Sequence, residues 1–228
     1  MGTSMQKTLY FAGELFSQKH LIGNALLAHA IYEESQKQYL PILPQDLEFR
    51  DTSPKAIRDQ DLLSLIQCDL ALFHFDGPEL DSGTVVEFMY AKFADIPAVI
   101  LRTDFREGGD QAGAGDPWNL MCSFYPRTEV VISNCLDSNA AAGHQRQQLE
   151  SYKPEILKSN IEAQQHAILT TAQEVIKALN NVSAERPRMK PENTSVIMEH
   201  IQAITGFDTD ETIFEKIGKK PSDLTPPL

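Results

Sequence analysis

The sequence predicts an α/β fold, a five-stranded parallel sheet with helices on both faces, plus a mainly helical C-terminal extension. Three observations predict it. Over the first 135 or so residues, short apolar runs alternate with longer amphipathic stretches, the pattern of parallel strands joined by right-handed helical crossovers. The run at residues 70–75 is almost wholly apolar, as a strand covered on both faces should be. Beyond residue 136 the strand pattern stops and a long helical periodicity takes over. With 228 residues, the chain has room for one core and an extension, divided here as residues 1–136 and 137–228.

Each element has its own signal. Residues 8–12 (T-L-Y-F-A) read as a buried strand ending at Gly13, where the backbone must turn. From 17 to 35, Leu21, Ile22, Ala25, Leu26, Ala28, His29 and Tyr32 recur at helical spacing. Residues 39–43 form a second strand closed by Pro44, and 54–67 a helix with Ile57, Leu62, Leu65 and Ile66 facing inward. The strand at 70–75 is followed by a helix at 82–93, a strand at 98–101, a helical turn near Trp118 and a strand at 129–133. A small-residue loop at 137–143 precedes a long helix at 145–180, which Pro154 kinks or truly begins. Residues 184–192 read as a linker, and two short helices are expected at 195–204 and 210–217. The proline-bearing end, 219–228, reads as loose.

Composition narrows the partners. Twenty Lys and Arg against 32 Asp and Glu give a net charge of −12, the wrong sign for nonspecific binding to nucleic acid or to an anionic membrane. Cys68, Cys122 and Cys135 show no C-x-x-C spacing and do not read as a disulfide framework or metal cluster. No apolar run approaches the roughly 20 residues of a membrane span. The short polar start is not a signal peptide, and the expected compartment is the cytoplasm.

In sheets of this kind ligands bind beyond the carboxyl ends of the strands, which directs attention to residues 13–16, 44–48, 76–81 and 102–119. The richest stretch is F-H-F-D-G-P-E-L-D-S-G-T-V-V-E-F-M-Y-A, residues 73–91. A buried strand enters a loop holding Asp76, Glu79 and Asp81, then a turn with Ser82 and Gly83, then a helix carrying Glu87. Ser82 or Thr84 can cap that helix, and the acids can simply complement its positive end. Glu87 asks for more, because it sits among Val85, Val86, Phe88 and Met89. A carboxylate there is costly to bury unless it is paired or used.

The segment D-S-G-T-V-V-E (residues 81–87), between strand and helix, resembles the signature of the nucleoside 2-deoxyribosyltransferases. The opening L-Y-F-A-G-E-L-F (residues 9–16) looks like that family's first strand and turn. Asp61 stands 20 residues before Asp81, and Asp81 stands 6 before Glu87, matching the family's acid spacing; W-N-L-M (residues 118–121) matches its N-L-M element. The resemblance covers about residues 8–135. It implies a flavodoxin-like (Rossmann-like) sheet and exchange of a deoxyribosyl group between bases in deoxynucleoside salvage. It nominates Glu87 as the nucleophile, and Asp61 and Asp81 for proton transfer and hydrogen bonds. Tyr10 would orient Glu87. Asn119 and Met121 would serve a neighbouring subunit's sugar site in a homo-oligomer, a dimer-based tetramer or hexamer. Read alone, Asn119 is a helix cap and Tyr10 is core.

Substrate contacts are expected from Gly13, Phe16, Gln45, Glu48, Asp76 and Gly83, with deoxynucleosides and free nucleobases as partners and neither metal nor cofactor needed. The loop at 104–116 is longer and richer in glycine than a minimal connection. It carries three Asp and one Glu and no G-x-G-K-[ST], and reads as a lid over the base rather than a phosphate cradle. Two other readings compete. One is an N-glycosidase of 2-deoxynucleoside 5′-monophosphates, for which Ser17, Ser82 and Lys19 would have to meet phosphate. The other is a non-catalytic flavodoxin-like nucleotide-binding module in which the acids are structural.

Overall fold

A computed structural model describes residues 6–47, 53–106, 108–111, 115–141 and 153–206. Five parallel strands form one sheet in the order β2-β1-β3-β4-β5: β1 (Lys7–Ala12), β2 (Tyr39–Ile42), β3 (Leu70–His74), β4 (Ala98–Arg102) and β5 (Thr128–Ile132). This is the flavodoxin-like order, whose chain direction switches between β1 and β3 and opens a crevice there. The predicted strands thus stand where the apolar runs placed them, each within a residue or two.

Alternation along the strands divides the core in two. Leu9, Phe11, Leu70 and Leu72 pack with Leu27 and Ile31 of α1 (Gln18–Glu34) on one face. Tyr10, Ala12, Ala71 and Phe73 pack on the other with Leu65 of α3 (Pro54–Gln67) and Phe88 of α4 (Ser82–Phe93). Both α3 and α4 have the bounds expected from sequence. Residues 44–47 form a single helical turn, α2 (Pro44–Leu47), where the sequence shows only a strand-ending proline.

The C-terminal region departs from expectation in two ways. Cys135–Ala141 is a short helix, α5, overlapping a segment read as loop. The long helix α6 is Glu155–Ala184, so Pro154 marks its start rather than a kink; the rest of the expected helix, residues 145–152, lies outside the described residues. Proline suits this place because its missing N–H is one that a first turn leaves unbonded anyway. Ala163, Ala167, Ala172, Val175, Ala178, Leu179 and Val182 of α6 are buried, and those from Ala172 onward share the core of the α1 face. Each large member of that stripe contributes about 1.5–3 kcal/mol by burial. One further helix, α7 (Thr194–Thr205), lies on the outer side of α3, with Met198 and Ile201 against Leu62 and Ile66. The expected helix at 210–217 and the chain end at 219–228 lie outside the described residues. No described helix is long and apolar enough to cross a membrane.

Candidate active site

Glu87 lies in the second turn of α4, and its side chain leans back toward the start of that helix, as long helical side chains do. It meets Tyr10, whose place in β1 turns its ring onto the α3/α4 face. The Tyr10 hydroxyl donates to Glu87 Oε1 at 2.6 Å. Burial raises the Glu87 carboxyl to about 7; the Tyr10 hydrogen bond acts in the opposite direction, and the charges of Asp61 and Asp81 add to the rise. Burial, then the neighbouring Glu87, push the Tyr10 hydroxyl well above its ordinary range, with a smaller contribution from Asp61. Tyr10 is therefore a fixed donor, and Glu87 exchanges its proton close to neutrality.

Asp81 caps α4, a role that sequence reasoning gave to Ser82 or Thr84. Its Oδ2 accepts from both the backbone N–H and the hydroxyl of Thr84 at 2.8 Å, satisfying donors of the first turn. Gly83 sits against this carboxylate: a Cβ there would lie 3.1 Å from Asp81 Oδ2. Asp61 comes from α3, one turn before the buried Leu65, and its charge bears on both Tyr10 and Glu87. Three carboxylates and one phenol from β1, α3 and α4 thus converge beyond the β1–β3 crevice.

A second set of groups fixes the loops around them. Arg102 ends β4 at only 1% exposure and donates to the carbonyls of Phe75 at 2.7 Å, Gly77 at 3.1 Å and Arg106 at 2.7 Å. The sequence offered one signal for it, a cation closing an otherwise apolar strand. Arg102→Met is expected to cost about 3 kcal/mol, since it strands buried carbonyls that held charged hydrogen bonds. Chemical denaturation should show that loss, and an unchanged midpoint would refute the clamp.

Asp76 belongs to the same framework. It accepts from the backbone N–H groups of Thr103 at 2.6 Å and Asp104 at 3.0 Å, takes the Thr103 hydroxyl, and lies 3.1 Å from His74 Nε2. Burial works to raise this carboxyl, but the hydrogen bonds and charge of His74 and Thr103 hold it well below the usual range. Its oxygens are thus engaged with the β4 loop. His74 and Thr103 were not singled out from sequence, because their role is visible only in this pairing.

The remaining candidates are more dispersed. Gly13 follows β1, and a Cβ there would approach that of His74 to 3.1 Å, so a larger residue would have to press His74 aside. Phe16 is 75% exposed. Gln45, on α2, donates to the Leu21 carbonyl at 3.2 Å and accepts from Asn24 at 3.4 Å, while Asn24 also donates to the Glu14 carbonyl at 3.0 Å. That chain ties α2 to α1 and the first turn. Glu48 lies outside the described residues. Asn119 Oδ1 accepts from the Met121 N–H at 2.9 Å, capping a 3-10 turn at Leu120–Cys122. Met121 itself is 67% exposed. Beside them, Gly109 packs so closely on Trp118 that a Cβ would overlap its backbone, and Gly108 abuts the Pro78 carbonyl. Gly109 thus serves close packing on Trp118.

Comparison with known proteins gives this geometry a context. The chain is similar to a conserved protein from Enterococcus faecalis V583 (28% identity, 56% of this chain and 92% of that one, TM-score 0.47). It is also similar to a 2-desoxiribosyltransferase from Leishmania mexicana (25% identity, 52% and 86%, TM-score 0.42). No curated protein matches it. Residues 9–121 match the family model described as nucleoside 2-deoxyribosyltransferase, a span that takes in Tyr10, Asp61, Asp81, Glu87 and Asn119. By that match the chain belongs to the nucleoside 2-deoxyribosyltransferase family.

Proposed function

We propose that the protein moves a 2-deoxyribosyl group from one purine or pyrimidine base to another through a covalent intermediate on Glu87, with retention of β configuration. The observation that carries this reading is the Tyr10–Glu87 hydrogen bond of 2.6 Å inside a ring of carboxylates. In the first step a Glu87 oxygen attacks C1′ on the face opposite the base, and the C1′–N bond breaks. Its electron pair leaves with the base nitrogen, which takes a proton from Asp61 or Asp81. In the second step a nitrogen of another base attacks C1′, gives its proton to the carboxylate that lost one in the first step, and releases the Glu87 carboxylate. Two inversions restore the configuration. The deoxy sugar suits this route, because a 2′-hydroxyl would withdraw electrons from the oxocarbenium-like transition state.

Incubation with deoxyinosine and free adenine, followed by chromatography, tests the proposal. Deoxyadenosine should form without added phosphate. Free deoxyribose as the sole product would make the protein a hydrolase, and no turnover of purine or pyrimidine donors would refute both.

The same reading assigns Asn119 and Met121 to a site shared within a homo-oligomer, consistent with the exposure of both residues. Mixing inactive Glu87→Ala with inactive Asn119→Ala under conditions of subunit exchange should restore part of the activity, up to about a quarter in a statistical dimer. No recovery despite demonstrated exchange would refute sharing.

A further inference from the structure

Helix α3 is gripped from two sides. The stripe Asp61, Leu65 and Cys68 is turned toward the sheet: Leu65 and Cys68 are buried in one cluster with Tyr10, and the Asp61 charge reaches Tyr10 and Glu87. The neighbouring stripe, Lys55, Arg58, Leu62 and Ile66, is turned toward α7. These four follow one another at three- or four-residue steps, which puts them along a single helical face. Leu62 and Ile66 are buried with Met198 and Ile201 of α7. Arg58 donates to the Thr205 carbonyl at 2.8 Å, and Lys55 to that of Gly206 at 3.3 Å. Two cations of α3 thus meet the carboxyl end of α7, where the helix dipole favours positive charge.

The segment leading into α7 is fastened as well. The N–H groups of Arg188 and Met189 donate to Asp95 Oδ2 at 2.6 and 2.8 Å, and that carboxylate lies 3.0 Å from the Arg127 guanidinium. Asp95 follows α4, so the strap is tied near the far end of the helix that carries Glu87, while its other end grips α3.

We propose that α7 is a latch that positions Asp61: by docking on the outer face of α3 it fixes the helix that holds this carboxylate against Glu87. Met198 and Ile201 are then positioning residues for the reaction. The proposal rests on the reading of Glu87 and Asp61 as catalytic. It predicts that the C-terminal segment acts on the chemical step without touching substrate.

The test uses the full chain carrying Met198→Asp and Ile201→Asp together, with Val196→Asp, on the exposed side of α7, as control. Amide hydrogen exchange across residues 54–67 should quicken in the double variant while β1 keeps its protection. Its kcat should fall about tenfold or more, the cost of a small misplacement of a reacting group, with KM held within about twofold. Met198→Leu with Ile201→Val should restore kcat. Wild-type kcat in a chain whose α7 amides exchange freely would overturn the proposal, as would a change confined to KM. Should the double variant fail to fold, Arg58→Ala loosens only the carboxyl end of α7. It should give a smaller fall in kcat with faster exchange in α3, and wild-type values of both would overturn the latch. If the wild-type chain transfers no deoxyribose, the reading of Glu87 falls. Hydrogen exchange still decides the latch in that case, because unchanged protection of α3 with α7 undocked refutes it.

Discussion

Glu87→Ala is expected to lower deoxyribosyl exchange by roughly 10⁴-fold or more, because it removes the nucleophile on which both half-reactions depend. Glu87→Gln should do nearly the same while keeping the side chain's shape. The isosteric variant also isolates what the carboxylate costs the fold. The group titrates near 7 in the folded protein against an ordinary 4.5. The folded state therefore holds the proton more tightly than the unfolded chain. The sign follows directly: below pH 4.5 both states are protonated and nothing is lost, and above pH 7 the folded state bears the full cost of a buried charge. That cost is on the order of 3 kcal/mol. Glu87→Gln should therefore stabilise the protein by about 2–3 kcal/mol at pH 8 and by little at pH 4. Denaturant unfolding at the two pH values measures this, and an equal effect at both would mean that the folded protein does not hold Glu87 under strain. A single substitution that inactivates and stabilises is the expected mark of a site where function opposes stability.

The legible part of the fold is the part where side-chain chemistry repeats. All five strands, α3 and α4 could be read because apolar runs of the right length stop at Gly13, Pro44, Asp76 and similar turn formers. Helix α2 is one turn long, too short to show a period, and α5 is built from small and polar residues that suit a loop equally well. Leu62, Leu65 and Ile66 were rightly expected to face inward, yet they face two different partners. Leu65 meets the sheet, whereas Leu62 and Ile66 meet α7, and spacing within one helix cannot say what lies across from it.

The site divides along the same line. Glu87 stood out as the lone carboxylate on an apolar helix face, and the resemblance to the nucleoside 2-deoxyribosyltransferases nominated Asp61 and Asp81. Arg102 and the partners of Asp76, His74 and Thr103, did not stand out. Their partners are loop carbonyls and backbone N–H groups, which leave no trace in the identity of neighbouring residues. Asp76 was nominated for substrate and is found holding the loop. An acid after a buried strand suits either purpose, and the structural one shows only in the placement of Thr103.

Tyr10→Phe separates tuning from mere packing. Among the described residues, the phenol hydroxyl is the partner that acts to keep Glu87 ionised, against burial and the charges of Asp61 and Asp81. Its loss should move the Glu87 carboxyl upward from about 7. A hydrogen bond to a charged group contributes about 1.5–3 kcal/mol, which amounts to roughly one to two pH units. The acidic limb of kcat/KM should shift to higher pH by that amount, with activity at pH 7 falling about five- to fiftyfold and recovering in part above pH 9. Asp61→Asn should shift the same limb to lower pH, because it removes a negative charge that opposes ionisation of Glu87, although its maximum rate should fall as well. Opposite displacements from two substitutions on different elements have a common cause only in the group both of them face. If the limb stays fixed in Tyr10→Phe while the rate falls equally at every pH, the hydroxyl orients Glu87 without tuning it. If the limb stays fixed in both variants, the titration that limits the rate belongs to another group.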